Sequence, residues 1–301
     1  MFFEHLYPAP DWLAQRACWP HSHCSHFIKT RCVNWHVQIM GRGPVALLLH
    51  GTGSSTHTWR DVAPLLSPFF TLVCPDLPGH GFSSGMEHLE PSIGAVYDEI
   101  SALMQSLKMQ PELLVGHSAG AAVMARWGLS EPVDPQLGRP KMIALNPAWM
   151  PLPGLAQWLF PVTAWMAAFN PLSGVVVSHQ AKRRGAVERL MQSTGSKLDD
   201  AGLDCYRYLL SQPAHVRGIL QLMAAWDVKE VADRLRDIHN PVLVQVGQRD
   251  TTVPAHLGAR AAAVLPNATL SELAGLGHLS HEEAPEASVN TWLRWLNASK
   301  S

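Results

Sequence analysis

Leu113-Leu114-Val115-Gly116-His117-Ser118-Ala119-Gly120-Ala121-Ala122 is the stretch whose reading decides the fold. A short apolar run, strand-like from Leu113 to Gly116, meets an alanine-rich segment suited to a helix, and the junction reads G-x-S-x-G. A strand that turns sharply into a helix holds the residue at the tip in a strained conformation. The flanking glycines let the backbone pass close to its neighbours while the Ser118 hydroxyl stays exposed on the turn. Ser118 is therefore a candidate nucleophile, and the rest of the chain must supply a base, an acid and an oxyanion site.

Working outward, β-like runs alternate with helix-like segments, the pattern of a parallel sheet covered on both faces. Strands are expected at Trp35 to Met40, Val45 to His50, Thr71 to Pro75, Leu113 to Gly116, Met142 to Asn146, Val242 to Gly247 and Thr269 to Leu273. Helices are expected at Thr56 to Leu66, Ile93 to Leu107, Ala119 to Leu129, Ala255 to Leu265 and Pro285 to Asn297. Between about Ala148 and His239 the alternation stops and the segment reads as helices: Pro153 to Asn170, Ala181 to Thr194, Leu198 to Leu210 and His215 to Trp226. The expected architecture is α/β, a mostly parallel central sheet flanked by helices, formed by residues 1–147 and 240–301 with an N-terminal arm at 1–30. Residues 148–239 form an inserted helical cap. Leu155 to Phe169 reads as a buried cap helix in preference to one lying on a bilayer, and Pro161 interrupts it.

Composition narrows the function classes. The 301 residues are 47% hydrophobic and only 16% charged, with a formal net charge of −1, so nothing marks a nucleic-acid surface. Five irregularly spaced cysteines argue against a disulfide framework, and the start of the chain lacks the basic and apolar regions of a signal peptide. A cytoplasmic protein is expected. His21, His23, Cys24 and His26, with Cys18 and His5, match no closed zinc pattern, so no metal is expected and the cluster reads as a histidine-rich arm packed by Trp12 and Trp19. Gly51-Thr52-Gly53 leads to serines without a lysine, so neither a dinucleotide nor a phosphate loop is indicated and no cofactor is expected.

A serine hydroxyl needs a histidine to take its proton, and the histidine needs a carboxylate to orient it. Gly247-Gln248-Arg249-Asp250 follows the strand ending near Gly247, and Gly275-Leu276-Gly277-His278 follows the last strand. Ser118, Asp250, His278 is the chain order of α/β-hydrolases, with each residue just beyond a strand end. Asp250 has the plainer reading of a turn cap before Val253-Pro254. His281 is a neighbouring alternative to His278, but its place beside Glu282 and Glu283 suggests a solvated capping residue. The N–H groups of Ala119 and Thr52 are the expected oxyanion donors, because Ala119 follows the nucleophile and His50-Gly51-Thr52-Gly53 ends the strand from Val45. Asp76 to Ser83 reads as a structural turn beside the site, and His80 and His117 as packed residues. Trp149, Met150, Trp158, Trp165 and Met166 are candidates for an apolar pocket, since aromatic surface suits a flat apolar ligand.

With these elements the chain resembles an α/β-hydrolase over nearly its whole length. More narrowly, it is similar to the magnesium-chelatase accessory protein family of bacteriochlorophyll biosynthesis. The residues that carry this likeness are Pro10-Asp11-Trp12, Trp19-Pro20, His50-Gly51-Thr52-Gly53, Gly116 to Ala121, Leu145-Asn146-Pro147-Ala148, Gly195-Ser196 with Leu198-Asp199, Trp226-Asp227 and Gly277-His278-Leu279. The resemblance implies a role in photosynthetic pigment synthesis around magnesium insertion into a porphyrin, with chelatase subunits as partners. It does not make this chain the chelatase motor, which needs phosphate loops that this sequence lacks. The leading expectation is a serine hydrolase acting through an acyl-enzyme on an apolar or tetrapyrrole-like ester. A non-catalytic porphyrin-binding or chelatase-assembly protein is the alternative, and carbon–carbon bond hydrolysis or cofactor-free perhydrolysis is a third.

Overall fold

The computed structural model of the chain describes residues 6–86, 89–130, 138–151, 170 and 172–298. Its sheet contains β1 (Ser25–Lys29), β2 (Asn34–Gly41), β3 (Val45–Leu49), β4 (Thr71–Pro75), β5 (Leu113–His117), β6 (Lys141–Leu145), β7 (Val242–Gly247) and β8 (Ala268–Leu273). They lie in the order β1-β2-β4-β3-β5-β6-β7-β8, with β1 and β2 antiparallel and the remainder parallel. The central strands are apolar on both faces because helices cover both. Leu47, Leu49, Val73, Leu114, Ala144 and Val244 face one core, while Ala46, Leu48, Leu72, Val115, Ile143 and Leu243 face the other. Both sets follow from the two-residue period of a strand.

The helices among the described residues are α1 (Trp12–Gln15), α2 (Val62–Leu66), α3 (Ile93–Leu107), α4 (Ala119–Gly128), α5 (Ser173–Ala181), α6 (Ala186–Ser193), α7 (Asp200–Leu210), α8 (Pro213–Ala224), α9 (Lys229–Arg234), α10 (Ala255–Val264), α11 (Ser280–Glu283) and α12 (Pro285–Ala298). α3 starts where the Ser92 side chain caps Ala95 N–H and stops at Lys108 in the left-handed region (φ 55°). Ile100 and Leu103 of α3, Val123 of α4 and Ala261 of α10 share the first core, whereas Val62 and Leu66 of α2 and Val289 and Trp292 of α12 fill the second.

Three expectations are corrected. Thr56 to Leu66 is not one helix: a 3₁₀ turn at Thr56–Trp59 precedes α2. There Thr56 N–H donates to Asp76 and the Thr58 hydroxyl donates to Glu282, tertiary partners that override continuous helix. Ala181 to Thr194 is split at Gly185, which adopts φ 73°, and α5 precedes the break. Within the expected arm, Ser25–Lys29 is an added edge strand whose burial shows no alternation, so no period-2 apolar signal marks it. Trp12 and Trp19 hold the arm against Phe82 and the Cys205–Leu209 side of α7. Among the described residues no helix is long and apolar enough to cross a membrane. Leu155 to Phe169 lies outside the described residues.

Candidate active site

Ser118 sits between β5 and α4 at φ 50°, ψ −113°, a region that non-glycine residues enter at a cost of about 1–3 kcal/mol. The strain is held by packing: a Cβ on Gly120 would overlap the Leu49 carbonyl oxygen, so only glycine lets α4 dock this close to the end of β3. A Cβ on Gly51 would come within 3.1 Å of the Ser118 Cβ, which puts the β3 loop directly against the nucleophile candidate. Ala119 opens α4, so its N–H has no acceptor within the helix. Thr52, half-buried, lies in the loop that abuts Ser118.

That loop is fixed by two histidines. His50 Nδ1–H donates to Gly51 O at 2.8 Å, and its Nε2 accepts from Leu77 N–H at 2.8 Å. His215, on α8, accepts at Nδ1 from Gly81 N–H at 3.0 Å and donates from Nε2 to Gly53 O at 3.3 Å. Both rings use one nitrogen as donor and the other as acceptor, so each is a neutral crosslink. Burial lowers both, His215 to about 4. Nothing in the local sequence around His215 signals this task, because its partners come from two other loops.

The loops after β7 and β8 bring Asp250 and His278 together, with His278 Nδ1 2.7 Å from Asp250 Oδ2. Asp250 also fulfils its plainer reading: Oδ1 accepts from Thr252 N–H and Val253 N–H, both at 2.8 Å. One oxygen caps the turn while the other faces the imidazole. Asn146, buried at the end of β6 with φ 44°, donates to the same Oδ2 at 2.7 Å and accepts from the Ser280 hydroxyl at 3.1 Å. Sequence reasoning did not assign Asn146 a place in the site. The available signal was an asparagine before Pro147 at a strand end.

Ser118 and His278 are 9% and 6% exposed. Among the hydrogen bonds of the described residues none joins Ser118 to His278. His117 bridges the two regions: its Nε2–H donates to the His278 carbonyl at 3.0 Å and its ring lies 4.7 Å from the His278 ring. The His281 ring also packs against His117, tilted by 51° with the ring centres 4.6 Å apart. The expectation that His281 is a solvated cap is corrected. It is fully buried, donates from Nε2 to the Thr58 hydroxyl at 2.8 Å, and is pushed by burial to about 3, so it stays neutral. Glu282 beside it is also buried and accepts from Thr58, Arg60 and Tyr206.

Trp149 is corrected as a pocket wall: it is fully buried in the first core and its indole N–H donates to Ala121 O at 2.7 Å, bracing α4. Met150 is half-buried against that core. Trp158, Trp165 and Met166 lie outside the described residues. His21 of the arm donates to the Arg60 carbonyl at 2.7 Å, and the described residues include no group of three or more His, Cys, Asp or Glu able to hold a metal ion.

The profile of the alpha/beta hydrolase family matches residues 46–291, from β3 into α12. The chain belongs to this family. The chain is 35% identical to the magnesium-chelatase 30 kDa subunit of Rhodobacter capsulatus over 93% of its own length and 97% of the relative's. It is 25% identical to the 2-hydroxy-6-oxo-6-phenylhexa-2,4-dienoate hydrolase of Burkholderia cepacia over 84% and 87% of the two chains. A thermophilic esterase from Thermogutta terrifontis shares the fold with a TM-score of 0.70 at 20% identity, covering 91% of this chain and 98% of the esterase.

Asp76, in the turn beside the site, is an acid-sensitive support of the fold. It is fully buried, with Oδ2 2.7 Å from His36 Nδ1 and 2.8 Å from Phe82 N, and Oδ1 2.6 Å from Thr56 N. Burial alone would raise its carboxyl, but His36 and the Phe82 N–H outweigh this and hold it at about 2. A carboxylate lowered on folding contributes stability that is present above its ordinary value of 3.8 and lost as pH falls through 3.8 towards about 2. Asp76→Asn is expected to cost about 2 kcal/mol at pH 7 and to flatten the loss of stability between pH 4 and 2, measured by urea titrations of both proteins across that range.

Proposed function

We propose that the protein is a serine hydrolase that cleaves an ester through an acyl-enzyme on Ser118 and serves bacteriochlorophyll synthesis beside magnesium chelatase. The observation that carries the chemistry is the strained Ser118 at the β5–α4 junction together with the His278–Asp250 pair on the loops after β7 and β8. In this reading Ser118 Oγ attacks the carbonyl carbon while His278 Nε2 takes its proton. The N–H groups of Thr52 and Ala119 hold the oxyanion, with His50 and His215 keeping the first of these loops preorganised. Collapse breaks the ester bond, and His278 returns the proton to the leaving alcohol. Water then repeats the sequence with His278 as base and releases the acid.

The β6–β7 connection acts as a cap over this site. The buried apolar contacts of Val187, Met191, Tyr206 and Leu210 with Leu279, next to His278, pack this connection against the histidine loop, and the choice of a tetrapyrrole-like ester as substrate draws on the magnesium-chelatase relative. The pathway assignment is supported by the Rhodobacter capsulatus relative, and a cytoplasmic location by five free cysteines. The competing reading, a porphyrin-binding or chelatase-assembly protein, draws on that same relative. A fluorophosphonate probe separates the chemistry: the purified protein is expected to be modified at Ser118, as found by mass spectrometry of the labelled peptide. An unmodified Ser118 under conditions that label a control esterase overturns the acyl-enzyme reading.

A further inference from the structure

The segment Ser193–Lys197 leaves α6 and passes between the two loops that hold Asp250 and His278. Its contacts with them are made by backbone groups and by two short side chains. The Thr194 carbonyl accepts from His278 N–H at 3.2 Å and from Thr251 N–H at 3.4 Å, so one oxygen touches both loops. The Ser193 carbonyl accepts from the Thr251 hydroxyl at 2.6 Å. Ser196, only 1% exposed, accepts at its hydroxyl from Leu279 N–H at 2.8 Å, the residue immediately after His278. From below, the Glu283 carboxylate takes Gly277 N–H at 2.7 Å on one oxygen and Lys197 N–H at 3.0 Å on the other, tying the histidine loop to the same segment.

The fit leaves no slack. Gly195 has φ 81°, and a Cβ there would overlap the Arg249 carbonyl oxygen, while a Cβ on Gly277 would lie within 2.5 Å of the Gly195 oxygen and the Ser196 nitrogen. Backbone therefore touches backbone at this three-way meeting, in the turn that also carries the His278–Asp250 bond. Asp250 is fixed from its own side by Thr252, Val253 and Asn146. His278 receives no comparable support from its own loop, where its backbone N–H and that of the next residue are both bound by Thr194 and Ser196.

We infer that Thr194–Ser196, with Glu283 beneath it, is a positioning clamp that sets the His278 imidazole against Asp250, so that the β6–β7 connection is a working part of the triad as well as its cover. This inference rests on the proposed role of His278 and Asp250. It also assigns the connection a fixed corner: any movement that admits substrate takes place away from residues 193–197, since separation there would release His278.

Ser196→Ala removes the acceptor of Leu279 N–H with a small change of volume, and Glu283→Gln places an amide N–H2 against one of two backbone N–H donors. Both variants are expected to lower kcat for p-nitrophenyl butyrate by about 10-fold to 100-fold with KM little changed, the scale of a misplaced catalytic group. A second readout is independent of turnover: the His278 Nδ1 proton, bonded to Asp250, gives a far-downfield signal in the proton NMR spectrum, which both variants shift or broaden. Loss of thermal stability with that signal and kcat unchanged overturns the clamp and leaves a merely structural contact. If wild-type Ser118 takes no fluorophosphonate yet the signal moves in the variants, the clamp stands and the acyl-enzyme reading falls.

Discussion

Ser118→Ala is expected to remove ester hydrolysis, with kcat for p-nitrophenyl butyrate falling about a million-fold, the size of loss seen when a serine nucleophile is deleted from a working triad. The protein should still fold. Alanine tolerates φ 50° about as poorly as serine does, and the contacts that hold this strain are made by Gly120 against Leu49 and by the backbone of the elbow. Ser118 N–H donates to Leu145 O at 2.9 Å and its carbonyl accepts from Ala121 N–H at 3.1 Å, bonds that alanine keeps. An unchanged circular dichroism spectrum and melting temperature would show that the activity lost is chemistry. The same variant decides what the site is for. Expressed in a pigment-making strain that lacks the native copy, Ser118→Ala should fail to restore bacteriochlorophyll. Full restoration would mean that the hydrolase cavity serves binding or assembly, and the ester chemistry would be removed from the pathway.

Asp250→Asn carries the second large effect, about a 10⁴-fold fall in kcat with the structure preserved. The reason lies in the donors around the carboxylate. Oδ1 faces two backbone N–H groups, from Thr252 and Val253, so the amide oxygen of asparagine must take that side. Its NH2 group is then forced towards His278 Nδ1 and the Asn146 NH2. His278 must turn Nδ1 into an acceptor, which moves its proton to Nε2, the atom needed bare to receive the serine proton. Two NH2 groups also face each other at Asn146, so Asp250→Asn with Asn146→Asp is a useful pair. Kinetics of the single and double variants measure the effect, and a single variant with activity near wild type would remove Asp250 from the mechanism.

The positions of Ser118, Asp250 and His278 at strand ends were legible because strand–turn–helix transitions are short-range signals: short continuous apolar runs, then glycine and polar residues where the chain must turn. β3 to β8 agree with the expected strands to within a residue or two for the same reason. The misreadings share a different cause. β1 has no apolar alternation, so only its pairing with β2 identifies it. His281 and Glu282 look like a solvated helix start in sequence, yet they are buried because Thr58 and Arg60, more than 220 residues earlier, meet them. Trp149 looks like pocket lining until its indole is seen on the Ala121 carbonyl.

By itself, then, the sequence determined the α/β order, the serine turn after β5 and the strand-end loops that carry Asp250 and His278, since local sterics and hydrophobic patterning act within a few residues. The tertiary structure decided the rest: Asn146 sharing the Asp250 oxygen, His50 and His215 crosslinking the Thr52 loop, the buried neutral His117 and His281 behind His278, and the Ser193–Lys197 segment bonded to the loops of Asp250 and His278. Each depends on desolvation and on hydrogen bonds between distant segments. A polar residue declares neither until the chain has closed around it.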